Sequence, residues 1–374
     1  MSSQSLARYF GVIGVLIPLG VSTYYMFIET WTLGYFLKYV TGGIGVDPAA
    51  PIAAQTAAAQ AFYNAFTGTG SDGSLFTGDT LFTVFTWAAV FAINIFFIFR
   101  GLSKGIEKFV SFAMPVMAVC ALIVLIRVLT LGTPDPAQPD QSVTNGLGYM
   151  WNPNYSKLLD FKTWLAAAGQ IFFSLSVGFG VIINYASYMK RKDDIALSGL
   201  TASATNELFE VGFGGMITLT AAFVFLGLSG TTAAVAGGSF SLGFATLPVV
   251  FAHMGAFGNF VGALWFLMLF LAAITSSLSM YQPAVAHIKE SLNFSHVKST
   301  TIIATIGTAG AFLTLWFTAG GSFWNTVDFK KNTTGSDLDL IALWISLSLS
   351  HFYFSWLLGV WHVRKDTDPY LTSL

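Results

Sequence analysis

The chain has 374 residues, of which 54% are apolar and 16% aromatic, whereas only 9% are charged. Because soluble domains carry about 25% charged residues, this composition excludes an ordinary soluble domain and indicates a protein embedded in a lipid bilayer. The formal net charge of −1 argues against a nucleic-acid partner.

The predicted elements are transmembrane helices. A helix that crosses the hydrocarbon core of about 30 Å needs about 20 mostly apolar residues. The sequence is therefore predicted to be an all-α polytopic membrane protein, with residues 1–374 forming a single transmembrane domain. Eight stretches meet the length requirement: 8–39, 80–99, 109–131, 163–188, 196–228, 258–287, 300–319 and 339–362.

Three segments between these helices are predicted to be external loops. Residues 42–79 are rich in Gly, Ala, Thr and Ser, and a short helix is expected near 55–66. Residues 132–160 contain several prolines. Residues 229–257 are too interrupted by glycine to span the bilayer, so we expect a re-entrant or capping hairpin there.

Lysine and arginine predict the orientation, because cytoplasmic loops carry an excess of both. If the N-terminus is cytoplasmic, most of the 17 basic residues fall on the cytoplasmic side. The even number of predicted spans agrees with this arrangement. We therefore expect a multi-pass plasma-membrane protein with both termini in the cytoplasm.

Polar residues within the predicted spans are the first candidates for function, because such groups are costly in a membrane and usually face a cavity or a partner. A structural interpretation stays open, in which hydroxyls bond to their own helix and a buried carboxylate is paired. Residues three or four apart share one helix face. Three groups have this spacing: Tyr25 with Glu29, Asn206 with Glu210, and Ala272 with Thr275 and Ser276.

The span at 163–188 has a loosened centre, because two serines and two glycines fall within Ser174–Gly180. Unwound backbone at membrane depth is tolerated only where it is buried in protein or lines a cavity. Its free carbonyls can hold a small cation, and the N-terminus of a half-helix favours a carboxylate. The sequence has no metalloprotease, P-loop or CxxC motif. We therefore expect neither an enzyme nor an organic cofactor.

Several stretches resemble the neurotransmitter:sodium symporter family, which contains the LeuT-type transporters. The resemblance implies a partial LeuT-type inverted-repeat fold that covers the family's third to tenth helices and lacks the first two and the last. The stretches are Gln170–Gly180 with Asn184–Tyr188 (sixth helix), 24–34 (YYMFIETWTLG, third helix), 100–108 (RGLSKGIEK, fourth-to-fifth loop), 197–215 (seventh helix) and 275–283 (TSSLSMYQP, eighth helix).

The same resemblance implies a function, namely sodium-coupled symport of an amino acid or related small molecule by alternating access. Its partners would be sodium ions, the substrate and the lipid bilayer. Two alternatives stay open, and the unmatched first helix favours the first of them. One is a non-transporting fragment or subunit that needs a missing N-terminal part or a partner chain. The other is an ion channel, which predicts a continuous polar lining.

Individual roles are also implied by the resemblance, residue by residue. Gln170 would lie near the outer gate, with Asp328 or equally Asp337 as the gate acid, and Glu210 would supply a fixed charge where animal relatives hold chloride. The substrate would contact Val21, Tyr25, Phe173, Ser176, Phe179 and Met280. Sodium would bind at one site to Ser174 and Asn206, and at a second to the Ala272 carbonyl, Thr275 and Ser276.

Overall fold

The computed structural model describes residues 3–68, 80–236, 240 and 242–316. Within these ranges every regular element is helical. The α-helices are α1 (Ser3–Val40), α2 (Ile52–Thr67), α3 (Thr80–Arg100), α4 (Glu107–Leu129), α5 (Val143–Trp151), α6 (Phe161–Ser174), α7 (Val181–Ala186), α8 (Ile195–Glu207), α9 (Met216–Ala236), α10 (Leu247–Ala252), α11 (Gly258–Ser291) and α12 (His296–Trp316). Wider π-helical turns occupy Leu102–Ile106, Leu208–Gly215 and Leu242–Thr246.

Five helical stretches of the described residues are long and apolar enough to cross a membrane. The predicted all-α polytopic fold is therefore confirmed. The predicted span at 163–188 is divided between α6 and α7, which are too short to cross alone, and the predicted span at 339–362 lies outside the described residues. The predicted span at 300–319 falls on α12, which is not among the five stretches. The five stretches are Gly11–Val40, Leu81–Arg100, Glu107–Leu129, Ile195–Val235 and Gly255–Ser291.

The two longest helices, α1 and α11, pack against each other and form the centre of the molecule. Small residues permit their close approach. A Cβ atom at Gly262 of α11 would collide with the ring of Tyr39 on α1. Aromatic side chains fill the seam on either side, and Tyr35 donates its hydroxyl to the Phe244 carbonyl at 3.0 Å. This seam fixes the positions of the polar residues that α1 and α11 carry.

The segments predicted to be external contain short helices, of which α2 packs against α1 and α5 packs against α9. Residues 42–79 include α2, and residues 132–160 include α5. The segment 229–257 holds the last turns of α9 and then α10, whose side chains from Leu247 to Phe251 are all buried. His253 follows α10 and stacks on Phe225 of α9. Its Nε2 atom lies 2.8 Å from Oε1 of Gln55 on α2.

Candidate functional site

The candidate site lies at the interruption between α6 and α7. Ser176, Gly178 and Gly180 have φ angles of +56°, +87° and +70°. L-residues with a side chain rarely adopt this left-handed region, and such outliers cluster at functional sites. The strained serine therefore indicates that the backbone here is shaped for a purpose other than continuing the helix.

The interruption forms a compact turn. The amides of Ser176 and Val177 donate to the carbonyls of Phe173 and Phe172 at 3.0 and 2.9 Å, which closes the end of α6. The Gly180 carbonyl accepts from the Asn184 amide at 3.0 Å, which opens α7. A Cβ atom at Gly180 would collide with the carbonyl oxygen of Gly14 on α1. Glycine is therefore required at 180 both for the positive φ and for this approach.

Four polar side chains form a chain of hydrogen bonds beside the turn. Asn206 uses Nδ2 to donate to Ser174 Oγ, and to Glu210 Oε2 at 3.3 Å. Gln170 Nε2 donates to Glu210 Oε1. Glu210 belongs to the π-helical turn Leu208–Gly215, and such turns occur frequently at functional sites. The structure thus brings together four of the residues that the sequence singled out.

A second group of oxygen atoms lies on α11. The Ala272 carbonyl accepts from the hydroxyls of Thr275 at 2.9 Å and Ser276 at 3.1 Å. The Ser276 side chain is exposed, and that of Thr275 is partly buried. The Tyr25 side chain of α1 lies close to Ser276. Three predicted sodium ligands and one predicted substrate residue therefore share this position, although bonding of hydroxyls to their own helix also occurs without any ligand.

The predicted substrate residues are divided between exposed and buried positions. The rings of Phe173 and Phe179 meet edge to face, with centroids 6.2 Å apart, on the two sides of Ser176. Phe173 is 57% exposed, whereas Met280 is only 5% exposed. Val21 is partly buried on α1. The candidate gate acids Asp328 and Asp337 lie outside the described residues.

Sequence reasoning missed some polar contacts near the site. Tyr185 of α7 donates to Ser279 of α11 at 2.7 Å, and Glu29 is bonded to Asn94 of α3 at 2.8 Å. Asn94 had a detectable signal, because an amide in an apolar span is costly unless it is paired. The contact of Gly14 with Gly180 had none, since a single glycine in an apolar helix predicts no particular partner.

The fold and the site together define a class: a protein of long apolar helices, in which one predicted span is interrupted beside a group of hydrogen-bonded polar side chains. The sequence profile of the Sodium:neurotransmitter symporter family matches residues 47–360, so the chain belongs to this family. The resemblance found in the sequence is confirmed.

Two relatives show how much of a family member the chain covers. It is 27% identical over 314 residues to an "Uncharacterized sodium-dependent transporter" of Haemophilus influenzae, covering 83% of this chain and 61% of that protein. It is 28% identical over 319 residues to another, from Methanocaldococcus jannaschii, covering 82% of this chain and 60% of that protein. The chain thus spans about three-fifths of the length of these relatives.

A solved structure has the same fold. The crystal structure of MhsT in complex with L-phenylalanine matches with a TM-score of 0.65 at 22% sequence identity. The match covers 93% of this chain and 81% of that chain. The LeuT-type architecture inferred from the sequence motifs is therefore confirmed for the fold.

Proposed function

We propose that this chain takes part in sodium-coupled symport of an amino acid or related small molecule by alternating access, in a plasma membrane with both termini cytoplasmic. The observation that carries the proposal is the turn at Ser174–Gly180, which has the hydrogen-bonded side chains of Gln170, Ser174, Asn206 and Glu210 beside it. The names of the two relatives and the ligand of MhsT support the choice of sodium and of an amino acid.

The first proposed sodium position is beside Ser174 and Asn206. Asn206 uses its amide nitrogen for both of its hydrogen bonds, so its Oδ1 atom keeps free lone pairs. Ser174 Oγ accepts one bond from Asn206 and has a second lone pair. Oxygen atoms of this kind suit a hard cation. Glu210 is 3.3 Å from Asn206 and adds negative charge nearby.

The second proposed sodium position uses the Ala272 carbonyl with the Thr275 and Ser276 hydroxyls. Both hydroxyls now donate to that carbonyl. A hydroxyl group rotates about its C–O bond to suit its neighbours. When a cation binds, both hydroxyls would turn their lone pairs toward it and their protons away from it. The exposure of Ser276 gives an ion access to this position.

The substrate is proposed to bind over the turn. The Tyr25 hydroxyl would donate to its carboxylate, and Phe173 and Phe179 would enclose its side chain from two directions, with Val21, Ser176 and Met280 shaping the remainder. The aromatic edges provide a large apolar contact area with few rotatable bonds. This arrangement suits a small zwitterion with an apolar side chain.

The anchoring of the two half-helices supports alternating access. Gln170 of α6 is bonded to Glu210 of the π-helical turn, whereas Tyr185 of α7 is bonded to Ser279 of α11. The two halves therefore have different partners, and the turn between them is the segment that can change its dihedral angles. Domain motions in proteins commonly use such short hinges.

The experiment is uptake by the purified full chain in liposomes. We expect saturable uptake of labelled L-phenylalanine, or of another amino acid in a panel, that requires an inward sodium gradient and is absent when potassium replaces sodium. Gly180→Ala should abolish uptake, because the added Cβ collides with Gly14. Gly169→Ala is the matched control on α6, since nothing lies within 4 Å of its added Cβ. Sodium-independent uptake, or none with every amino acid, would contradict the proposal.

A further inference from the structure

Three wholly buried polar side chains connect three helices beside the second proposed sodium position. Glu29 of α1, Asn94 of α3 and Ser277 of α11 are each 0% exposed. Asn94 Nδ2 donates to Glu29 Oε1 at 2.8 Å, and Ser277 Oγ donates to Asn94 Oδ1 at 2.7 Å. We call these residues the buried triad.

The hydrogen bonds of the buried triad fix the orientation of the Asn94 side-chain amide. Asn94 Nδ2 has two acceptors, Glu29 Oε1 and the Val90 carbonyl at 3.1 Å. The amide nitrogen is therefore fixed on the side of Glu29, and Oδ1 has to face Ser277. A flipped amide would place the Asn94 oxygen against the Val90 carbonyl oxygen. The Val90 carbonyl and Glu29 thus together hold the orientation in which Asn94 presents its oxygen to α11.

The buried triad lies next to the proposed sodium ligands. Ser277 follows Ser276 directly, and Ser276 lies close to Tyr25, which precedes Glu29 by one turn of α1. These two consecutive residues of α11 thus lie next to α1, and Ser277 is linked to Glu29 through Asn94. The Ser277 hydroxyl also lies 3.0 Å from the Ile274 carbonyl oxygen. The triad is therefore attached to the helical turn that carries Thr275.

We propose that Glu29 and Asn94 are positioning residues, which hold the Thr275–Ser277 turn of α11 in the conformation that binds sodium. The inference rests on the proposed function, because it concerns the second sodium position. Residues in buried hydrogen-bond networks of this kind fix the orientation of ion ligands without binding the ion themselves. Neither Glu29 nor Asn94 contacts the ion in this proposal.

The test measures sodium affinity in the purified full chain, by hydrogen exchange of residues 272–278 as a function of sodium concentration at constant ionic strength. Glu29→Leu, Asn94→Leu and Ser277→Ala should each raise the half-saturating sodium concentration about 3- to 10-fold. Glu29→Gln keeps an oxygen for Asn94 and should restore nearly the wild-type value. The matched control is Thr86→Val on α3, a wholly buried hydroxyl that bonds only to its own helix.

The combination of variants separates positioning from general destabilisation. Glu29 and Ser277 belong to one chain of hydrogen bonds, so removing either side chain breaks the same connection. The double variant Glu29→Leu/Ser277→Ala should therefore weaken sodium binding no more than the stronger single variant. Half-saturating concentrations equal to those of Thr86→Val, or additive effects in the double variant, would overturn this inference alone. A wild-type chain whose exchange does not respond to sodium would overturn the proposed function, and this inference with it.

Discussion

Replacing Thr275 and Ser276 by alanine tests the second sodium position most directly. The two hydroxyls lie 2.9 and 3.1 Å from one carbonyl oxygen, that of Ala272. The substitution removes both and leaves the carbonyl as the remaining predicted ligand. Alanine has the highest helix propensity, so α11 itself should not be weakened.

The expected magnitude follows from the exposure of each hydroxyl. A hydrogen bond to a charged group contributes about 1.5–3 kcal/mol, and we assign a similar value to each lost ligand. Ser276 is exposed, so water can replace its oxygen and its loss should cost less than that of the partly buried Thr275. Since about 1.4 kcal/mol corresponds to a tenfold change, the double variant should lose at least about tenfold in apparent sodium affinity.

The assay is a sodium titration of uptake in liposomes at saturating substrate. Thr305→Ala is the matched control, because Thr305 of α12 also bonds to its own helix, at 2.8 Å from the Thr301 carbonyl. The control should keep the wild-type sodium dependence. An unchanged half-saturating sodium concentration in the double variant would refute the reasoning, and would assign both hydroxyls to helix packing.

Three further predictions concern other parts of the molecule. Uptake should be independent of chloride, because the Glu210 carboxylate supplies fixed negative charge; replacing chloride by gluconate should change nothing in the wild type, whereas Glu210→Gln should become chloride-dependent. Phe173→Ala should raise KM for the substrate about tenfold, since it removes one of the two facing rings, and should leave the half-saturating sodium concentration unchanged; an equal change in both would contradict a role confined to substrate. Burial lowers the pKa of His253 below its ordinary value of 6.5. The folded state therefore resists protonation of His253, and its stability should fall as the pH drops below about 6.5. Thermal unfolding between pH 5 and 8 should show this loss in the wild type and not in His253→Gln, which keeps a donor for Gln55.

The sequence predicted the long helices because apolar length is a local property. Their ends were harder to predict. The predicted end at 228 agrees with the interruption at Gly227, whose φ of +65° and ψ of −173° are not helical, but the short helix that follows to Ala236 was not predicted. The π-helical turn that carries Glu210 was equally invisible, since it depends on the packing of neighbouring helices.

The residues of the candidate site were predictable from the sequence, whereas the hydrogen bonds between them were less predictable. Spacing placed Asn206 with Glu210, and serine and glycine content located the turn at Ser174–Gly180. The bond from Asn206 to Ser174 joins positions 32 residues apart, and no local pattern specifies it. Asn94 is detectable as an amide in an apolar span, but its partners on α1 and α11 are not, because neither is near it in the chain.

The buried triad also has a consequence for how the protein is made. Glu29 emerges from the ribosome 65 residues before Asn94, and Ser277 follows Asn94 by a further 183 residues. At about 5–20 residues per second, the first interval lasts about 3–13 s and the second about 9–37 s. During biogenesis α1 thus has to enter the bilayer with a carboxyl group whose amide partner has not yet been synthesised. The buried triad is therefore completed only when α11, which carries Ser277, has been synthesised.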